Sequence, residues 1–203
     1  MKKILLTLLL LCGLQIAVPA QDMRTLFMSA PDAVLPLLPA SLRADCVDFA
    51  EAGMSYPVTN ALGGKSTLKV LEDDYLFLQS SGISTVAMKV LPYGDSFVVC
   101  VVNTVSAEAS DSRIAFYDSG WKKLDAGCLF TAPSIRDFFN SPDEKLLDIC
   151  DIYLVSLDLS ATENTLVAEY TMPDYMNSDD AAKVRALLRR IVYRWNGSAF
   201  VRE

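Results

Sequence analysis

The chain has 203 residues, 52% of them hydrophobic, with 18 Lys+Arg against 25 Asp+Glu for a net charge of −7, and not one histidine. Without histidine there is no Ser-His-Asp or Cys-His catalysis, no His-ligated zinc and no proximal-His haem. A sequence pI of about 4.6 has the wrong sign for a nucleic-acid partner.

Residues 1–20 read as a secretory signal peptide. Lys2 and Lys3 make a positive n-region, residues 4–11 an apolar h-region, and Val18-Pro19-Ala20 a small-x-small cleavage site. The h-region is well short of the roughly 20 apolar residues of a spanning helix, and no later stretch qualifies. The expected location is the periplasm or cell envelope. Cys12 would be the acylated residue of a lipoprotein, but Leu11 stands where a lipobox needs a small residue, which argues against a lipid anchor. Residues 21–203 are enough for one large domain or two small ones, and can bury a core without staples. They are expected to form a single compact α+β unit, with two β-rich halves at about 22–125 and 150–203 as the other division.

Residues 22–27 read as a short, loosely held start. Pro31-Asp32 opens a helical turn through Leu35, Leu37 and Leu38 that Pro39 stops. Ser41 is placed to cap a helix over about 41–54, with Leu42, Cys46, Phe49 and Ala50 on its apolar face. From Tyr56 the hydrophobic period shortens to that of strands. Strands are predicted over 66–71, 75–78, 83–90, 97–105, 114–117 and 121–124, separated by turns at Gly63-Gly64, Asp73-Asp74, Ser81-Gly82, Gly94-Asp95 and Ser119-Gly120. In 83–90 the residues Val86, Met88 and Val90 face one way and Thr85, Ala87 and Lys89 the other. The stretch 97–105 is apolar on both faces, the mark of a doubly covered strand.

Residues 126–150, with Gly127, Pro133, Pro142 and a short helical piece over 134–139, connect this half to the next. Strands follow at 152–159 and 165–170. A helix over 178–190 is capped by Ser178, with Asp179 and Asp180 in its first turn and Arg185, Arg189 and Arg190 toward its end, matching the macrodipole. The last hairpin, 191–195 and 199–202, turns on Asn196-Gly197, a strong local hairpin signal. The two halves share an order of strands, but no fixed repeat period, so convergence of antiparallel meanders explains the likeness better than duplication.

Several motifs suggest chemistry and have plainer explanations. Gly63-Gly64-Lys65-Ser66-Thr67 resembles the end of a phosphate-binding loop, but Thr59 stands where the first glycine belongs and a strand follows instead of a helix. Ser119-Gly120-Trp121-Lys122 has the Ser-x-x-Lys spacing in a segment that reads as a turn. Asp73-Asp74 and Asp179-Asp180 are paired acids explained by a turn and a helix start. Asn196-Gly197-Ser198 is a glycosylation sequon by pattern and a hairpin by chemistry. Cys46, Cys100, Cys128 and Cys150 remain after the leader. Export permits disulfides in three pairings, while the apolar context of Cys100 reads as a buried free thiol, and the spacing does not choose between these.

The positive feature is aromatic. Tyr117, Trp121, Tyr193, Trp195 and Phe200 gather near hairpin ends, where such rings can stack on a sugar or anchor a peptide. The candidate binding site is Tyr117, Trp121, Tyr193 and Trp195, and no catalytic, metal or cofactor residue is expected.

The segments Asp45-Cys46-Val47-Asp48-Phe49-Ala50-Glu51-Ala52-Gly53-Met54, Thr59-Asn60-Ala61-Leu62-Gly63-Gly64-Lys65-Ser66, Met88-Lys89-Val90-Leu91-Pro92 and Ile114-Ala115-Phe116-Tyr117-Asp118 carry a resemblance. With the leader, the chain resembles an uncharacterised family of exported proteins from Bacteroides-type bacteria. The resemblance implies a Gram-negative envelope location and brings no activity, cofactor or site residue. The expected fold is α+β, mostly antiparallel sheet in meander hairpins, with helices near 41–54 and 178–190 packed on it. The expected function is a non-enzymatic binding or interaction module with a protein or glycan ligand. The alternative is a secreted hydrolase using carboxylates such as Asp73 or Asp74.

Overall fold

The computed structural model describes residues 22–140 and 144–203. The leader at 1–20, Cys12 and Pro142 lie outside the described residues. Six strands, β1 (Val58–Thr59), β2 (Lys65–Leu71), β3 (Tyr75–Gln79), β4 (Ser84–Tyr93), β5 (Ser96–Ser106) and β6 (Ser110–Tyr117), form one antiparallel sheet in sequence order. Four more, β7 (Val155–Leu159), β8 (Thr165–Tyr170), β9 (Ile191–Trp195) and β10 (Phe200–Arg202), form a second, again in order. Short connections allow only antiparallel neighbours, so the expected α+β meander is what forms.

The first sheet is covered on both faces. Helices α1 (Met23–Ser29) and α2 (Ala40–Glu51) lie on one face, over a cluster that includes Leu76, Leu78, Met88, Val99 and Val101. The second sheet lies on the other, and Ala87, Leu91, Val98, Cys100, Val102 and Phe116 pack there with Leu157, Leu166, Ile191, Tyr193 and Trp195. Strand β5 therefore buries Val98 through Val102 without a break, as its two-sided apolar run predicts. The connection between the sheets carries α3 (Ala126–Leu129), a 3₁₀ turn (Ile135–Phe138) and α4 (Glu144–Ile149), and α5 (Ser178–Arg185) precedes β9.

Six expectations are corrected. Residues 22–27 are not loose. Asp22 caps α1 by accepting the Thr25 N–H at 2.7 Å, and Met23, Leu26 and Phe27 are fully buried at helical spacing. The α1 C-terminus, whose carbonyls have no partner within so short a helix, is closed from α2. Arg43, with no exposed surface, donates to the carbonyls of Leu38 (3.0 Å), Phe27 (3.4 Å), Met28 (3.5 Å) and Ala30, and to Asp32 at 2.8 Å. Burial pulls its guanidinium below the ordinary value, and Asp32 opposes that shift.

The helix caps move by a residue or two. Pro39, not Ser41, precedes the first turn of α2, and Asp32 accepts the Ala40 N–H at 3.0 Å. Asn177, not Ser178, caps α5 by accepting from Asp180 at 3.1 Å. That helix stops at Arg185. The Phe138 carbonyl accepts the Arg189 N–H at 2.8 Å and Leu188 bridges Phe139, so the chain beyond it is held by the 3₁₀ region instead of by helix bonds. Strand β7 starts at Val155, not 152. Residues 121–124 make no strand beyond one bridge, Tyr117 to Lys123.

The Gly63-Gly64 turn is explained by Asn60. Its Oδ1 accepts the N–H groups of Leu62 (3.1 Å) and Gly64 (3.0 Å), and its amide nitrogen donates to Ser66 Oγ and the Ser80 carbonyl. Two of the N–H groups that a phosphate loop would present are thus already engaged. Gly63, at φ 78°, supplies the left-handed step.

Candidate functional site

Strand β6 ends in a tight hairpin loop. Trp121 N–H donates to the Asp118 carbonyl and Asp118 N–H to the Lys122 carbonyl, both at 3.0 Å. Asp118 Oδ1 accepts the N–H groups of Gly120 (2.9 Å) and Lys122 (3.0 Å). Such a loop ends in a left-handed residue, normally glycine. Here glycine sits one position early, and Trp121 takes the left-handed step at φ 64°; among the described residues it is the one non-glycine with positive φ. For a bulky side chain that costs on the order of 1–3 kcal/mol.

Three contacts offset the cost. The indole Nε1 donates to Ser29 Oγ at 3.3 Å, the ring lies 5.5 Å from that of Tyr117, and both rings pack on the helix-side cluster. Burial pushes the Tyr117 hydroxyl upward from its ordinary range. Each ring keeps part of its surface in solvent. Beyond the Tyr117–Lys123 bridge the returning chain keeps one more backbone bond, Leu124 N–H to the Phe116 carbonyl at 2.9 Å, before Asp125 caps α3.

The four aromatics singled out from the sequence do not share a surface. Tyr193 and Trp195 are 4% and 6% exposed. On β9 the alternating residues Ile191, Tyr193 and Trp195 face the first sheet, so they are core. Tyr193 meets Phe130 edge-on at 5.1 Å. Trp195 packs on Phe116, Phe200 and Tyr93, and its Nε1 donates to the Pro92 carbonyl at 2.6 Å, tying the second sheet to the β4–β5 turn.

One acid of each pair has a structural partner through its carboxylate. Asp74 is the counterion of Lys89, 3.0 Å away. Lys89, which alternation puts on the strand face opposite Val86, Met88 and Val90, is 1% exposed between the sheets, where it also donates to the Ala161 carbonyl at 2.6 Å. The Asp73 carbonyl accepts the Met23 N–H at 2.9 Å. Asp180 accepts from Lys183 at 3.1 Å in the first turn of α5. A cavity of about 300 Å³ gathers Arg185, Arg189 and Arg190, but each is engaged, with Asp174, the Asp137 carbonyl and Glu169.

Among the described residues no three His, Cys, Asp or Glu side chains converge as a metal site. The four described cysteines are free, with Cys46, Cys100 and Cys150 buried and Cys128 exposed. No described helix is long and apolar enough to cross a membrane.

A family model described as "Protein of unknown function (DUF3256)" matches residues 15–200. A solved structure, described as a domain of an uncharacterized protein from Porphyromonas gingivalis W83, is similar over 87% of this chain and 96% of its own, with TM-score 0.77 and 29% identity. No curated protein matches.

Proposed function

We propose that this chain, which belongs to the family described as protein of unknown function (DUF3256), is a non-enzymatic binding module of the bacterial cell envelope, exported by its leader. The observation that carries the reading is the Tyr117–Trp121 corner. A tryptophan held in a left-handed conformation where glycine would be free of strain is an outlier of the kind that accumulates at functional positions. The ring keeps part of its surface in solvent, on a hairpin tip tethered to α1, which suits stacking on a sugar or capture of a peptide side chain.

The test is retention on immobilised envelope glycans and peptides. Trp121→Gly relieves the backbone and removes the ring; Tyr117→Ala removes the second ring. Both are expected to abolish retention, while Trp195→Phe, which alters only core, leaves it intact. Equal retention of all four proteins would refute the corner as the binding surface.

A further inference from the structure

The meander is interrupted between β6 and β7, and the seam holds a cavity. The strand edges there are tied by side chains in place of a ladder. Leu157 N–H donates to Ser112 Oγ at 2.9 Å, and Thr171 Oγ1 to the Ser110 carbonyl at 2.5 Å. Between them opens a space of about 240 Å³, walled by Ile114, Ala126, Phe130, Pro133, Val155 and Leu157.

Its polar lining is largely engaged already. The Ser112 hydroxyl pairs with Thr104 Oγ1 at 2.7 Å as well as accepting from Leu157. The Tyr153 hydroxyl donates to the Pro133 carbonyl at 2.6 Å. A polar group brought inside would lose its water and gain little, so the occupant is apolar. The space is smaller than the roughly 300–1,000 Å³ of a drug-sized ligand site and suits one bulky side chain.

Asp111 is the exception. It lies half-buried in the lining, and its carboxylate has no hydrogen-bond or ion-pair partner among the described residues. It is near enough to Tyr153 to push that hydroxyl upward, second to burial as a cause. The walls are largely apolar, and Asp111 is the one charged residue of the lining, on a chain of net charge −7.

We propose that this seam binds a basic, hydrophobic peptide segment: one Leu, Ile or Phe side chain fills the cavity and a neighbouring Lys or Arg pairs with Asp111. The cavity lies on the sheet–sheet side of β6, where Phe116 is core, whereas Tyr117 and Trp121 pack on the helix side. The inference therefore stands or falls apart from the aromatic corner.

The test is a titration of the ¹⁵N-labelled protein with three blocked tripeptides, Lys-Leu-Lys, Glu-Leu-Glu and Lys-Ser-Lys, read by amide shifts at Ser112, Ile114, Gly127 and Val155. Lys-Leu-Lys is expected to saturate these shifts, Glu-Leu-Glu to bind about ten times more weakly or less, and Lys-Ser-Lys not to register. Asp111→Asn breaks no contact of the fold and is expected to weaken Lys-Leu-Lys roughly five-fold. Ala126→Phe puts a ring into the cavity and should block it. Should that variant misfold, Asp111→Asn still decides. Shifts confined to other surfaces, equal binding of the Lys- and Glu-flanked peptides, or a Lys-Leu-Lys affinity unchanged by Asp111→Asn would overturn the proposal.

Discussion

Replacing Arg43 by methionine tests how the α1–α2 layer is held to the first sheet. The guanidinium has no exposed surface and donates to the carbonyls of Phe27, Ala30 and Leu38, residues exposed by 0%, 3% and 0%. Methionine keeps much of the length and volume, so the cavity contribution is small. Three sealed acceptors lose their donor, at roughly 1–3 kcal/mol each. Asp32 is lost as a partner too, but its side chain is 62% exposed and returns to water at little cost. The expected loss is about 3–6 kcal/mol, the upper end limited by local relaxation, against a total stability typically of about 5–15 kcal/mol. Asp32→Ala, which leaves Arg43 its carbonyls but removes its counter-charge and the acceptor for Ala40 N–H, is expected to cost about 1–3 kcal/mol, less than Arg43→Met. Urea unfolding followed by far-UV circular dichroism measures both, provided the slope is unchanged. The reasoning is refuted if Arg43→Met lies within about 1 kcal/mol of the parent, or if Asp32→Ala costs as much.

Other outcomes follow from the same contacts. The Asp137 carboxyl is held down at about 2 by hydrogen bonds from the Ser134 side chain, then Arg202 and the Ser134 N–H, against 3.8 when unperturbed. Its folded value lies below its unfolded one, so its contribution is full above about 4 and is lost as pH falls toward 2; urea midpoints across that range should fall less steeply in Asp137→Asn than in the parent. Burial pushes the Cys46 thiol up to about 11 and raises Cys150 and Cys100 as well. Among the four described cysteines, a thiol reagent at pH 8 should therefore titrate Cys128 alone until the protein is unfolded. Lys89→Met leaves the Ala161 carbonyl without its donor and is expected to cost about 1–3 kcal/mol in the same urea assay; Asp74→Asn takes the counter-charge from a buried ammonium and is expected to cost about as much, although its own carboxylate is half-exposed.

The strand order was legible because period-2 alternation and turn residues mark a meander locally. The two-sided run of β5 and the Asn196-Gly197 hairpin both stand where their residues place them. Burial of charge was not legible. Lys89 occupies the face of β4 that alternation makes polar, and it becomes interior only because a second sheet, encoded more than sixty residues later, closes over it. Arg43 looks like an ordinary helix-surface charge until the short α1 needs donors for its carbonyls. The aromatic reading found Trp121 but not its conformation, since Gly120 sits one residue short of the left-handed position. It also placed Tyr193 and Trp195 with it, because alternation along β9 says which residues share a face and not which face is covered. The seam cavity is assembled from three separate stretches of chain, and no single window of sequence contains it.

Binding through the Tyr117–Trp121 corner is what the proposed function requires of this chain. The most direct measurement uses Trp195→Phe, which leaves Trp121 as the sole tryptophan of the two in the sequence. Its fluorescence, and its quenching by iodide, are followed while soluble envelope glycan and peptide fractions are added. The claim predicts a saturable change in emission and a loss of iodide access with at least one fraction. It is contradicted if a fraction that the protein demonstrably retains leaves both the emission and the quenching of Trp121 unchanged.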